Sequence, residues 1–202
     1  MYALVEDNQI KKIITNPIPM VINDVQYPAK IFQLWSKEEL NAIGIYEVIT
    51  DTTNQKDQKY YINTDEQFSY ANDQVTRSWG VATPKEYADK NATDENGNEL
   101  DPVVVIKGLK SHLIDELKLK VSSELSKTDW YVTRKTEKSI DIPSEISNHR
   151  DNIRTKQADM EEQILNAEDT PALETLYKYV NVGTEENPIY ERPLGELPKL
   201  ES

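Results

Sequence analysis

The sequence predicts an α+β protein: a small β-rich N-terminal module, a polar linker, and a helical C-terminal half with an extended tail. Three observations carry this. Short β-type runs punctuated by Asn, Asp, Gly and Pro fill residues 1–82. A polar stretch with little to bury occupies 83–107. Apolar residues then recur at helical spacing through 108–167, before a short helix and proline-punctuated tail in 168–202.

In chain order, Tyr2–Val5 and Ile10–Ile14 flank Glu6-Asp7-Asn8-Gln9, whose central Asp-Asn tolerates positive φ, so a hairpin is expected. Pro17 and Pro19 interrupt regular structure, and a second hairpin is expected around Asn23-Asp24. Ser36 with Glu39 has the spacing of a capping box, and Gly44 suits the left-handed end of that short helix. Ile45–Ile49, Tyr60–Ile62 and Val75–Trp79 read as strands. Within the linker, Val103–Ile106 reads as a short buried strand.

Leu109, Leu113, Leu117 and Val121 repeat every four residues and define an amphipathic helix with one buried face. Thr128-Asp129 is expected to break it, with Trp130 packed into the joint, and the next helix starts near Pro143-Ser144-Glu145, so the two helices join across Thr128–Pro143. Ile146, Ile153, Met160 and Ala167 then fall at intervals of seven. One apolar residue per heptad, widened only by Ile164, is a thin seam, so this helix is expected to lie against a partner or against copies of itself.

Composition narrows function. Apolar residues make up 37% of the 202 residues, below the roughly 45–50% of a typical globular domain. There is no cysteine, so disulfides, thiolate metal sites and cysteine nucleophiles are excluded. The net charge of -13 disfavours nucleic acid and anionic lipid surfaces, and no run of residues is long and apolar enough to span a membrane. No glycine-rich phosphate loop, G-x-S-x-G elbow or calcium-loop order is present. His112 and His149 have no metal-ligand spacing and read as surface histidines. The expectation is a non-enzymatic chain with no catalytic residues, no cofactor and no metal. Its candidate partner-binding residues are Ile146, Ile153, Met160, Ile164, Trp130 and Tyr131.

Two stretches bear a family resemblance. Gln33–Val48, an apolar segment before a short helix, a Gly-Ile pair and a strand, resembles a segment of small tail proteins of tailed bacteriophages. Thr128-Asp129-Trp130-Tyr131 with Arg134, followed by Ile142-Pro143, Ile146 and Arg150, resembles a segment near the end of phage tail-fibre assembly and tail-associated proteins. The resemblance implies a protein that binds a tail-fibre or other tail component, in the virion tail or in the host cytoplasm during assembly. A transient assembly chaperone and a tail-associated glycan-degrading enzyme are the alternatives. The thin seam permits a homo-oligomer, and equally one copy lying on a trimeric partner.

Overall fold

The computed structural model describes residues 1–200 and divides the chain into two compact units, Met1–Thr83 and the chain from Pro84 onward. It contains both helices and strands, with a sheet in the first unit and helices in the second, as an α+β reading requires.

Strands β1 (Tyr2–Glu6) and β2 (Gln9–Ile14) form the first hairpin, turning through Asp7 and Asn8 at φ 52° and 59°. A second hairpin, β3 (Met20–Ile22) with β4 (Val25–Tyr27), turns through Asn23 and Asp24 in the same conformation. The short helix α1 (Ile31–Leu34), absent from the sequence reading, leads to α2 (Lys37–Ala42). The α2 capping box forms as the Ser36–Glu39 spacing requires: Ser36 Oγ accepts from the Glu39 amide and the Glu39 carboxylate accepts from the Ser36 amide. After it come β5 (Ile45–Thr50), the two-residue β6 (Tyr61–Ile62), β7 (Glu66–Ala71), β8 (Gln74–Trp79) and β9 (Thr83–Pro84) at the unit boundary. The β7–β8 hairpin, also missed by the sequence reading, uses a third left-handed Asn-Asp pair, Asn72-Asp73.

The main sheet runs β2-β1-β5-β8-β7, antiparallel except between β5 and β8. Consecutive residues Ala3, Leu4 and Val5 of β1 are all buried because both faces of the strand are covered. Leu4 joins Ile14, Ile22, Ile31, Phe32, Leu40 and Ile45 on one side, while Ala3 and Val5 meet Val75 on the other. Trp35 packs against the first cluster and meets Tyr27 edge-on at 5.7 Å. Gly44 sits at φ +81°, where a Cβ would stand 2.6 Å from the Val5 carbonyl oxygen. Gly44→Ala therefore combines left-handed strain with a backbone clash and should destabilise this unit by about 1–3 kcal/mol in denaturant titration.

The second unit begins with the segment expected as a linker, and that segment is folded. Strands β10 (Lys90–Asn91) and β11 (Val105–Ile106) pair, and the expected buried strand Val103–Ile106 is exposed throughout. Asp89 explains the order: its carboxylate accepts from the Gly108 amide at 2.8 Å and the Ser111 hydroxyl at 2.8 Å. It thereby satisfies orphan donors at the start of α3 (Leu109–Ser126), and these bonds hold its pKa below the usual carboxylate range.

Helix α4 (Asp129–Lys138) occupies the region expected to be a break, and α5 (Ser144–Asn166) and α6 (Thr170–Tyr177) follow. Leu109, Leu113, Leu117 and Val121 of α3 are buried as expected. So are Ile146, Ile153, Met160 and Ile164 of α5, each no more than 2% exposed. The seam expected to await a partner is thus closed inside the chain, against α3. The two helices are antiparallel, and each supplies a cation to the other's C-terminus. Lys110 Nζ donates to the Leu165 carbonyl at 2.7 Å, and Arg150 Nη1 donates to the Leu125 carbonyl at 2.8 Å. Both contacts place a cation on a carbonyl at the negative end of a helix dipole.

The tail is not a free extended chain. Strands β12 (Val180–Asn181) and β13 (Tyr190–Glu191) pair, the Leu194 amide donates to the Leu176 carbonyl at 3.0 Å, and the Leu194 side chain is fully buried.

Candidate functional site

Thr128, Asp129, Trp130, Tyr131, Arg134 and Arg150, from the second of the two stretches that carry the family resemblance, lie at one corner of the second unit, where α3 ends, α4 begins and α5 packs. Its interior is polar. Thr128 is buried, donates through its hydroxyl to the Leu125 carbonyl at 3.0 Å, and accepts from Arg150 Nη1 at 2.7 Å. Arg150, itself buried, also pairs with Asp129 Oδ1 at 2.9 Å. One guanidinium therefore ties the end of α3 to the start of α4. Asp129 gains further from its place in the first turn of α4, where a carboxylate complements the helix dipole.

The exterior of the corner is aromatic and cationic. Helix α4 buries none of its side chains. Trp130, expected to pack into the joint, is 51% exposed and stacks on Tyr131 with ring centroids 3.7 Å apart. The Arg134 guanidinium lies 5.0 Å from the Trp130 ring and 5.6 Å from that of Tyr131. Such cation–π contacts order the three side chains and leave Trp130 the most exposed of them. Arg134, Lys135 and Lys138 outnumber Asp129 and Glu137 on this helix, a local excess of positive charge in a chain of net charge -13.

Of the six residues named from sequence as partner-binding, the structure brings Trp130 and Tyr131 together on the surface and places Ile146, Ile153, Met160 and Ile164 in the core. Two features escaped the sequence reading. His149, expected at the surface, is buried beside Arg150. Helix α4 was signalled by Asp129 at its start and Lys135 and Lys138 in its last turn, against the β-type run Trp130-Tyr131-Val132.

Two cavities adjoin the tail. The first, about 320 Å3, is lined by Leu117, Met160, Tyr177 and Leu194 among others. Several of its polar groups are engaged. Arg192 donates to the Gly195 carbonyl and to Glu196, each at 2.8 Å, and lies 5.6 Å and 5.9 Å from the Tyr177 and Tyr179 rings. Burial, aided by the Glu116 charge, pushes the Tyr177 phenol up to about 12, against a smaller opposing pull from Arg192. The Tyr179 phenol is also raised, chiefly by its hydrogen bond to Glu196. These contacts fasten the tail. The second cavity, about 470 Å3, lies at the aromatic corner and is lined by Trp130, Tyr131, Lys127, Thr128 and His149, with Glu124, Lys199 and Leu200 completing it.

Among the described residues no three His, Asp or Glu side chains are grouped to hold a metal ion, and no helix is long and apolar enough to cross a membrane. Comparison of the chain with protein-family models, with curated proteins and with solved structures finds no match.

Proposed function

We propose that this is a non-enzymatic protein of a bacteriophage tail, structural or tail-fibre-associated, that binds a fibre or other tail component through its helical half. The reading rests on the sequence resemblance. The observation that supports it best is that Trp130, Tyr131 and Arg134, three of the residues carrying that resemblance, form an aromatic–cation cluster on α4, with Trp130 exposed and Tyr131 and Arg134 partly buried. Trp, Tyr and Arg are the residue types that dominate interface energetics, and the Arg150 tie preorganises them. The binding surface proposed is thus the outer face of α4. Residence in the virion tail, or in the host cytoplasm during assembly, follows from this role as part of the proposal.

Co-expression with the tail-fibre proteins of the same genome tests it. The parent chain should co-purify with a fibre or tail component. Trp130→Ala should weaken capture by at least about tenfold, as loss of an aromatic hot spot does. Because the ring is half exposed, the same substitution should leave unfolding within about 0.5 kcal/mol of the parent. Failure of the parent to capture any tail protein, together with its absence from virions by mass spectrometry, would remove the reading.

A further inference from the structure

The turn between Thr93 and Glu99 carries a reactive pair that the tail reading does not use. Of the asparagines in the chain, Asn96 alone is followed by glycine. Every residue from Thr93 to Glu99 is exposed, and Gly97 stands in the left-handed region at φ +84°, with open space where a Cβ would be. A backbone nitrogen that attacks the side-chain carbonyl carbon of the preceding asparagine closes a succinimide ring. Glycine is the residue that crowds this approach least, because it has no Cβ.

One carboxylate holds the turn. Asp94 Oδ1 accepts from the Asn96 amide at 2.8 Å and from the Asn98 amide at 2.9 Å, and Asp94 Oδ2 accepts from Asn98 Nδ2 at 3.3 Å. These bonds, those from Asn98 foremost, and a further one from the Asn96 side-chain amide hold the Asp94 carboxyl below the usual carboxylate range. The backbone closes through the Asp94 amide, which donates to the Asn98 carbonyl at 2.8 Å, and the Gly97 amide, which donates to the Asp94 carbonyl at 3.1 Å. Thr93 bridges Glu99 at the base. Freeing the Gly97 nitrogen requires its bond to Asp94 to open and uncovers no buried side chain, so the opening is a local fluctuation of low cost.

We propose that Asn96 is a self-modification site, at which the chain deamidates through a succinimide closed by Gly97. The Gly97 nitrogen loses its proton to hydroxide and bonds to Asn96 Cγ, the Cγ–Nδ2 bond breaks, and ammonia leaves. Water then opens the ring. Attack at Cγ restores the ordinary backbone and gives aspartate, whereas attack at the backbone carbonyl carbon leaves the chain running through Cγ as isoaspartate. No oxidant or reductant enters. Either product exchanges an amide donor for a carboxylate near Asp94, which loses a hydrogen bond and gains a like charge. Isoaspartate also adds a methylene to the backbone inside the closed turn, so the turn should loosen as product accumulates.

Incubation of the full chain in mildly alkaline buffer, followed by proteolysis and mass spectrometry, should raise the mass of the peptide containing Asn96 by about 1 Da, the exchange of an amide NH2 for an OH. Both aspartate and isoaspartate should appear at that position, and the rate should rise in proportion to hydroxide. Asn96→Gln, which keeps an amide at an exposed position, should lose the mass shift. Gly97→Ala should slow it by about tenfold, since the added Cβ crowds the attacking nitrogen. Aspartate without isoaspartate, an equal rate in Gly97→Ala, or equal conversion of Asn91 and Asn98 would each overturn the proposal. So would a folded chain that stays unmodified under conditions that convert the urea-unfolded chain. The reaction needs no partner, so its failure leaves the tail reading standing, and failure of the tail reading leaves Asn96 unaffected.

Discussion

Ile153→Asp should abolish cooperative folding of the helical unit. Ile153 is fully buried at the middle of α5, between Ile146 one heptad before it and Met160 one heptad after. These residues face the inner stripe Leu109, Leu113, Leu117 and Val121 of α3. An ionised carboxylate there has no cation to meet, since the nearby Arg150 already serves Leu125, Thr128 and Asp129. The substitution removes apolar burial and adds an unpaired charge, a combination that exceeds about 4 kcal/mol. A domain is stable by only about 5–15 kcal/mol, so little folded unit should remain. Ile153→Val, which removes one methylene, should cost only about 0.5–1.5 kcal/mol. Chemical denaturation followed by helical circular dichroism separates the two. A folded Ile153→Asp chain that has merely lost affinity for a partner would mean that the seam faces outward after all.

That result also locates where the sequence was readable. Features set by three or four consecutive residues were legible: the Asp7-Asn8 and Asn23-Asp24 turns, the Ser36–Glu39 box and the left-handed Gly44 each require specific side chains at specific φ. Asn72-Asp73 is the same signal, yet it was passed over because the preceding strand, Glu66–Ala71, has no β-branched residue to mark it. Both helical stripes were legible too. What the sequence could not reveal was that they complete one another. A four-residue repeat on α3 and a seven-residue repeat on α5 each look inadequate alone, and their pairing is a tertiary fact.

The same limit explains the tail and the site. Leu194 lies in a proline-punctuated stretch that reads as extended chain, and its burial depends on where α6 delivers it. Trp130, which the sequence places in the joint between helices, is half exposed. A tryptophan beside a helix end fits either setting, and only the direction of α4 decides between them. His149 lay on a charged, polar stretch of sequence, so its burial depended on the fold of α3, α4 and the tail around it.

Arg150 is the position at which fold and proposed function meet, and its replacement should produce the second large effect. Its Nη1 serves three oxygens at once: the Leu125 carbonyl, the Thr128 hydroxyl and the Asp129 carboxylate. Arg150→Met keeps the apolar stem but leaves the buried Thr128 hydroxyl oxygen without a donor and the Asp129 carboxylate without its cation, which should cost about 2–3 kcal/mol. Arg150→Lys preserves the charge but replaces a planar fork with a point ammonium on a flexible stem, so only part of the loss should be recovered. The consequence should extend beyond stability. With the tie between α3 and α4 removed, Trp130, Tyr131 and Arg134 keep their own stack but lose a fixed position, and partner capture should fall in Arg150→Met at temperatures where the chain remains folded. Unfolding curves and capture measured on the same preparations separate the effects. Arg150→Met with lowered stability and parental capture would show that the aromatic face is held by α4 alone.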